Sequence, residues 1–172
     1  MDLKNKIRNI ADFPQKGIVF RDMTPLLEDK DAFKSAIDQL VKKLDGIKVD
    51  KVLGIDARGF VFASVLADRL GAGLILARKK GKLPHQTVEE EFNLEYGKAV
   101  LEIHRDSIRP GEQVLLVDDV LATGGTMKAA VSLVEKLKGK IPAIVFLIVL
   151  DYLPGRKLLK DYRLISLIDY EG

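Results

Sequence analysis

A chain of 172 residues, 47% hydrophobic and 31% charged, has the length and balance of one globular domain with a real core. It has no cysteine, which excludes disulfides and thiolate metal sites and points to a reducing compartment, and its two histidines make a zinc site a poor fit. A net charge of +3 is too mild to mark a nucleic-acid binder, and the longest apolar run, residues 143–150, is far short of the ~18 residues of a membrane span.

The N-terminal "MDLKNKIRNI" scatters charge through a segment with no apolar signal core, so the expected location is the cytoplasm. Asp31 reads as the N-cap of a helix whose apolar face is Phe33, Ile37, Leu40, Val41 and Leu44. Residues 51–55 read as a short buried strand, 59–70 as a helix ended by Gly71, and 73–78 as a second strand. Residues 92–96 and 98–104 flank Gly97 as a hairpin or a pair of extended arms, and 113–117 are a third buried strand. Met127, Ala130, Val131, Val134 and Leu137 form the apolar stripe of the next helix, and 143–150 and 163–168 are late strands. Short apolar strands alternating with amphipathic helices predict a single α/β domain over residues 1–172, with a mainly parallel central sheet flanked by helices. Such sheets bind ligands at the carboxyl ends of their strands.

The stretch "VLLVDDVLATGGTM", residues 114–127, carries the chemistry. Asp118 and Asp119 fall at the carboxyl end of a strand, and Ala122, Thr123, Gly124, Gly125 and Thr126 form the turn into a helix. Two glycines let backbone N–H groups converge, the helix start adds partial positive charge, and two hydroxyls add donors. The turn is therefore suited to one phosphate. It is not a Walker A loop, because no Gly-Lys-Ser/Thr follows, and neither it nor "GAGLIL" has the three-glycine dinucleotide pattern. Ionised carboxylates accept hydrogen bonds from hydroxyls. An acid pair before a phosphate turn thus fits ribose 5-phosphate, with the 2- and 3-hydroxyls on the acids; Mg²⁺ would reduce the remaining repulsion. An acid pair alone would suit a solvated strand end, but a structural turn requires few of these parts together.

These residues resemble the phosphoribosyl pyrophosphate motif of the type I phosphoribosyltransferases. "DFPQKGIVFRDMTPLL" (12–27), "ARGFVF" (57–62), "ARKKGKLP" (77–84) and "LEYGKAVLEIH" (94–104) resemble the adenine-using branch of that family, in its order and over nearly the whole chain. Val120 stands where leucine is frequent, and Val149 where some relatives carry a polar residue. The resemblance implies the family fold, with a base-binding N-terminal hood over roughly residues 1–30 and a flexible lid with arms over roughly 79–100. It implies transfer of the 5-phosphoribosyl group to adenine N9 in purine salvage, giving AMP and pyrophosphate, with Mg²⁺ carried mainly by the substrate. It also implies a cytoplasmic homodimer with no nucleic-acid or membrane partner.

Residue roles follow from the same resemblance. Ala57 and Arg58 belong to a pyrophosphate loop whose Asp56–Ala57 peptide is expected to be cis. Arg78, Lys79, Lys82 and His85 line the pyrophosphate side, although a basic run such as "RKKGK" standing alone is usually a solvated loop. Residues 85–93 are polar without core periodicity, which suits a lid that excludes water. Glu95 is the candidate general acid/base. Phe20, otherwise an ordinary core aromatic, stacks on adenine; Leu150 covers the other face; backbone groups of Val19 and Arg21 read the base edge. A hypoxanthine or xanthine enzyme is the nearest alternative, and "GIVFRD" argues against it. A regulator that senses phosphoribosyl pyrophosphate and binds nucleic acid would need a DNA-binding segment, and no convincing helix-turn-helix is present.

Overall fold

The architecture follows from where the sequence is apolar on both faces. In the computed structural model, which describes residues 1–94 and 97–172, every residue of Val114–Val117 and of Ile144–Val149 is buried. Such strands belong in the middle of a parallel sheet covered on both sides. Among the described residues the main sheet has seven strands: β3 (Lys51–Ile55), β4 (Gly73–Lys79), β5 (Thr87–Asn93), β6 (Lys98–His104), β7 (Val114–Leu121), β8 (Ile144–Leu150) and β9 (Leu164–Tyr170). Their order is β5-β6-β4-β3-β7-β8-β9. The pairs β3–β4, β3–β7, β7–β8 and β8–β9 are parallel, while β4–β6 and β5–β6 are antiparallel. The expected mainly parallel α/β sheet is thus present, with an antiparallel arm at one edge.

Helices α2 (Lys30–Lys43) and α3 (Gly59–Leu70) cover one face through a core that includes Leu40, Phe62 and Leu66 against Val52, Leu115 and Val145. Helix α4 (Gly125–Lys136) covers the other through Met127, Val131 and Val134 against Leu53, Leu116 and Phe146. A separate antiparallel hairpin, β1 (Arg8–Ala11) with β2 (Val19–Asp22), stands off the main sheet. It is preceded by a 3₁₀ turn (Leu3–Lys6) and followed by the short α1 (Thr24–Glu28).

Three expectations shift. The N-cap of α2 is Asp29, not Asp31: the Asp29 carboxylate accepts the Asp31 and Ala32 amides at 3.0 Å each. A bond from Lys6 Nζ at 2.7 Å and these amides hold its carboxyl down at about 2. Strand β7 does not stop at Val117, because its ladder with β8 continues to Leu121↔Val149 although the ladder with β3 ends at Gly54↔Val117. The acids therefore lie inside the strand, on a stretch freed from β3. Finally, residues 87–93 form an edge strand, with Val88 and Phe92 packed on the α4-side core. Glu90, between them, meets Lys136 of α4 at 2.6 Å; that polar residue on the inner face is what hid the alternation.

Candidate active site

The early end of β3 creates the site. Beyond Val117, β7 has no β3 partner, and the loop 56–58 fills the place beside it. The Asp56–Ala57 peptide in this loop is cis, as expected. Helix α3 then starts hard against the acids: a Cβ on Gly59 would stand 2.8 Å from Asp118 Oδ1 and 3.2 Å from the Val117 carbonyl oxygen. Only glycine lets the helix approach so closely.

The two acids are not equivalent. The Asp119 amide donates to Asp118 Oδ1 at 2.8 Å, so Asp118 is held by the backbone of its neighbour. Asp119 is buried and its Oδ2 lies 2.7 Å from Arg58 Nε. This contact is an ion pair without aligned hydrogen-bond geometry, which leaves that oxygen without a directed donor. Burial pushes the Asp118 carboxyl well above the usual carboxylate range; the Asp119 charge adds to this and Arg58 opposes it.

A cavity of about 1060 Å³ opens over these groups. Val19, Phe20 and Arg21 form its hood wall, Ala57 and Arg58 its loop wall, and Leu150 and Tyr152 the wall from the end of β8. Asp118, Asp119, Ala122, Thr123 and Thr126 complete it. Phe20 is half-buried, its ring centre 5.2 Å from that of Phe13 and nearly perpendicular to it, and it lines the cavity instead of joining the core. The Arg58 guanidinium lies 5.6 Å from the Phe20 ring centre, linking acid pair and hood. A smaller space of about 90 Å³ is lined by Ala122, Thr123, Gly124, Gly125 and Thr126 with Asp118. Gly124 has φ +88° and caps α4, so the turn has the left-handed backbone that points amides inward at a helix start.

The predicted basic groups are not all gathered here. Arg78 Nε is bound to Asp56 Oδ2 at 3.0 Å, beside the loop and not on the cavity wall. Lys79 and Lys82 are exposed, and His85, 63% exposed, lies 4.0 Å from Asp106. The reason is topological: after β4 the chain turns away at Gly81 toward β5. Glu95 lies outside the described residues. Asn93, Leu94 and Tyr152 line the cavity without having been predicted. Leu94 opens "LEYG" and Asn93 adjoins it, the one signal that pointed there, whereas nothing local marks Tyr152. Gly155, at the start of α5 (Gly155–Leu158), was missed as well. Its amide donates to the Ala122 carbonyl at 3.1 Å, and its Cα lies 3.0 Å from where a Gly124 Cβ would be. It backs the glycine turn from below.

Residues 26–171 match the family described as the phosphoribosyl transferase domain. The chain is 54% identical over 168 residues to an adenine phosphoribosyltransferase of Thermosipho africanus, covering 98% of this chain and 99% of that one. Its fold superposes on the crystal structure of the adenine phosphoribosyltransferase of Thermoanaerobacter pseudethanolicus with a TM-score of 0.94 at 50% identity, over 98% of both chains. The Saccharomyces cerevisiae enzyme of that name, crystallised with adenine and an imino-altritol bisphosphate, matches with a TM-score of 0.90 at 35% identity over 95% of each chain.

Proposed function

The chain belongs to the phosphoribosyl transferase family and is an adenine phosphoribosyltransferase, and from that premise we propose how its cleft divides the work. Adenine and phosphoribosyl pyrophosphate give AMP and pyrophosphate. The N9–C1 bond forms, the bond from C1 to the diphosphate oxygen breaks, and the N9 proton is released. Ala122, Thr123, Gly124, Gly125 and Thr126 hold the 5-phosphate through amides and hydroxyls. Asp118 and Asp119 accept the ribose hydroxyls and favour the positive charge that builds on the sugar. Arg58, the Ala57 backbone, Arg78, Lys79, Lys82 and His85 receive the diphosphate, with the segment from Lys79 onward closing over it. Phe20 and Leu150 enclose the purine, the backbone of Val19 and Arg21 reads its edge, and Glu95 handles the N9 proton. Positioning two bound substrates supplies much of the rate.

This reading is supported by one arrangement: the cavity holding the aromatic hood and the acid pair adjoins the smaller space of the glycine turn, and Asp118, Ala122, Thr123 and Thr126 line both, matching the base, ribose and phosphate of AMP.

Among the described residues no cluster of three or more His, Asp or Glu could hold a metal, and one of the two acids already faces Arg58. Mg²⁺ would be carried mainly by substrate oxygens, and Asp118 and Asp119 are the carboxylates nearest to where it would sit. When bound there, the ion withdraws charge from the leaving diphosphate. The proposed assembly is a homodimer: Leu74 and Leu76, alternating with buried Ile75 and Ala77 on β4, are 43% and 41% exposed, an apolar patch that a second copy would cover. No helix among the described residues is long and apolar enough to cross a membrane. The cytoplasm is the proposed location, in keeping with a cysteine-free chain.

The test is AMP formation from adenine and phosphoribosyl pyrophosphate with Mg²⁺, with hypoxanthine as competing base. AMP should form, and Asp118→Asn with Asp119→Asn should abolish most turnover while the fold persists. Hypoxanthine used as well as adenine, or near-normal turnover of the double variant, would overturn the reading.

A further inference from the structure

Tyr170 stands outside the cavity and none of the roles above uses it. It is 6% exposed, at the end of β9. Its register partner is Leu150, the residue placed over the purine, and its carbonyl accepts the Asp151 amide at 2.8 Å. Two cations from the N-terminal segment converge on its ring. The Arg21 guanidinium carbon is 4.0 Å from the ring centre and Lys4 Nζ is 4.5 Å from it. Arg21 reaches the ring from β2 while its Nη1 donates to Asn9 Oδ1 of β1 at 2.6 Å. The Arg21 Nε is buried with no oxygen or nitrogen partner. A buried donor without a partner is costly, and the negative face of an aromatic ring is the compensation at hand. One guanidinium therefore ties both hood strands to the rigid sheet, next to the residue that covers the base.

We propose that Tyr170 is a positioning residue for the purine subsite, its ring fixing the hood through Arg21 so that the Val19 and Arg21 backbone meets the base edge in register with Leu150. The inference rests on the reading of the hood as the adenine site. The main sheet is held by its own ladders, whereas the hood is a two-stranded hairpin, and such hairpins are marginal alone. Loss of the ring should therefore be felt at the base before it is felt at the phosphate turn.

Steady-state kinetics on the full chain test this, with each substrate varied in turn and the melting temperature recorded for every variant. Tyr170→Leu should raise the adenine KM by about tenfold and leave the KM for phosphoribosyl pyrophosphate within about twofold. Tyr170→Phe, which keeps the ring face, should restore the adenine KM. Arg21→Met, which removes the cation from the hood side and spares the sheet, should match Tyr170→Leu, and the double variant should be no worse than the poorer single one. The Arg21 variant reads the same contact if Tyr170→Leu does not fold. An unchanged adenine KM in a folded variant, equal rises in both KM values, or a Phe variant as impaired as the Leu variant would overturn the inference while AMP formation by the wild type stands. A wild type that makes no AMP would overturn the adenine reading and the inference with it.

Discussion

Arg58 Nε lies 2.7 Å from Asp119 Oδ2, so the buried member of the acid pair meets a counter-charge from the chain itself. The pair is lopsided: the Arg58 side chain is 52% exposed and that of Asp119 8%. Solvent screens the arginine, so its contribution to stability is small. In the proposed reading its value lies in placing a cation between the acids that take the ribose and the side where diphosphate leaves.

Replacing that cation should therefore cost substrate binding more than stability. Arg58→Gln is expected to raise the KM for phosphoribosyl pyrophosphate about tenfold, with a smaller change for adenine. Initial rates with each substrate varied check this. A larger effect on adenine would move Arg58 to the base side, toward Phe20.

Asp118 gives a pH prediction with a definite sign. Its carboxyl is raised well above 3.8 by burial and then by Asp119. Between the unfolded and folded values the native state binds more protons, so this group's stability contribution is full below the unfolded value and is lost as pH rises through the folded one. At neutral pH, above the unfolded value, burying this carboxyl therefore costs stability. Asp118→Asn should melt higher than wild type at pH 7, by about 3 °C, and the gap should close toward pH 4. The same change should cut turnover by roughly 100-fold. A variant that melts lower at pH 7 would contradict the argument.

Gly155→Ala probes the support of the glycine turn proposed to hold the 5-phosphate. A Cβ there would overlap the Ala122 carbonyl and stand 2.7 Å from Leu121 Cδ1, so the turn must shift. The expected result is a loss of about 1–3 kcal/mol of stability and a higher KM for phosphoribosyl pyrophosphate. Urea denaturation and kinetics measure the two effects. An unchanged KM would mean that the turn tolerates displacement.

Glu102 is 3% exposed, and its Oε1 accepts the amides of Gly81 and Leu83 at 3.1 and 3.3 Å. It pins the loop on either side of Lys82. Glu102→Ala should speed tryptic cleavage after Lys80 and Lys82, whereas Glu102→Gln, which keeps an acceptor, should cleave more nearly at the wild-type rate. Equal cleavage of all three proteins would show that the loop is held by other contacts.

The legible parts of the chain are those whose signal is local. Residues 59–70 read as a helix with Gly71 at its end, and α3 spans Gly59–Leu70 with Gly71 at φ +63°. Residues 51–55 have no polar residue after Lys51, and β3 has these bounds. Local signal failed where partners decide. Asp118 and Asp119 look like a strand's end but lie inside β7, because pairing with β8 outlasts pairing with β3. Asp31 looks like a cap, but Asp29, two residues earlier, makes both capping bonds. The glycine turn was readable from its own residues, while its support was not, since Gly155 reaches Ala122 across 33 residues of sequence. Tyr170 and Arg21 meet from opposite ends of the chain, and no pattern in either neighbourhood announces it.

In the proposed site, sugar and phosphate are held by separate groups, so that the acids do not oppose the anion beside them. A crystal structure of the protein with ribose 5-phosphate and pyrophosphate decides between this arrangement and its alternatives. The 2- and 3-hydroxyls should lie within hydrogen-bond distance of Asp118 and Asp119, and the 5-phosphate on the amides of residues 122–126. A pyrophosphate group seated in that turn, or sugar hydroxyls held away from both acids, would contradict it.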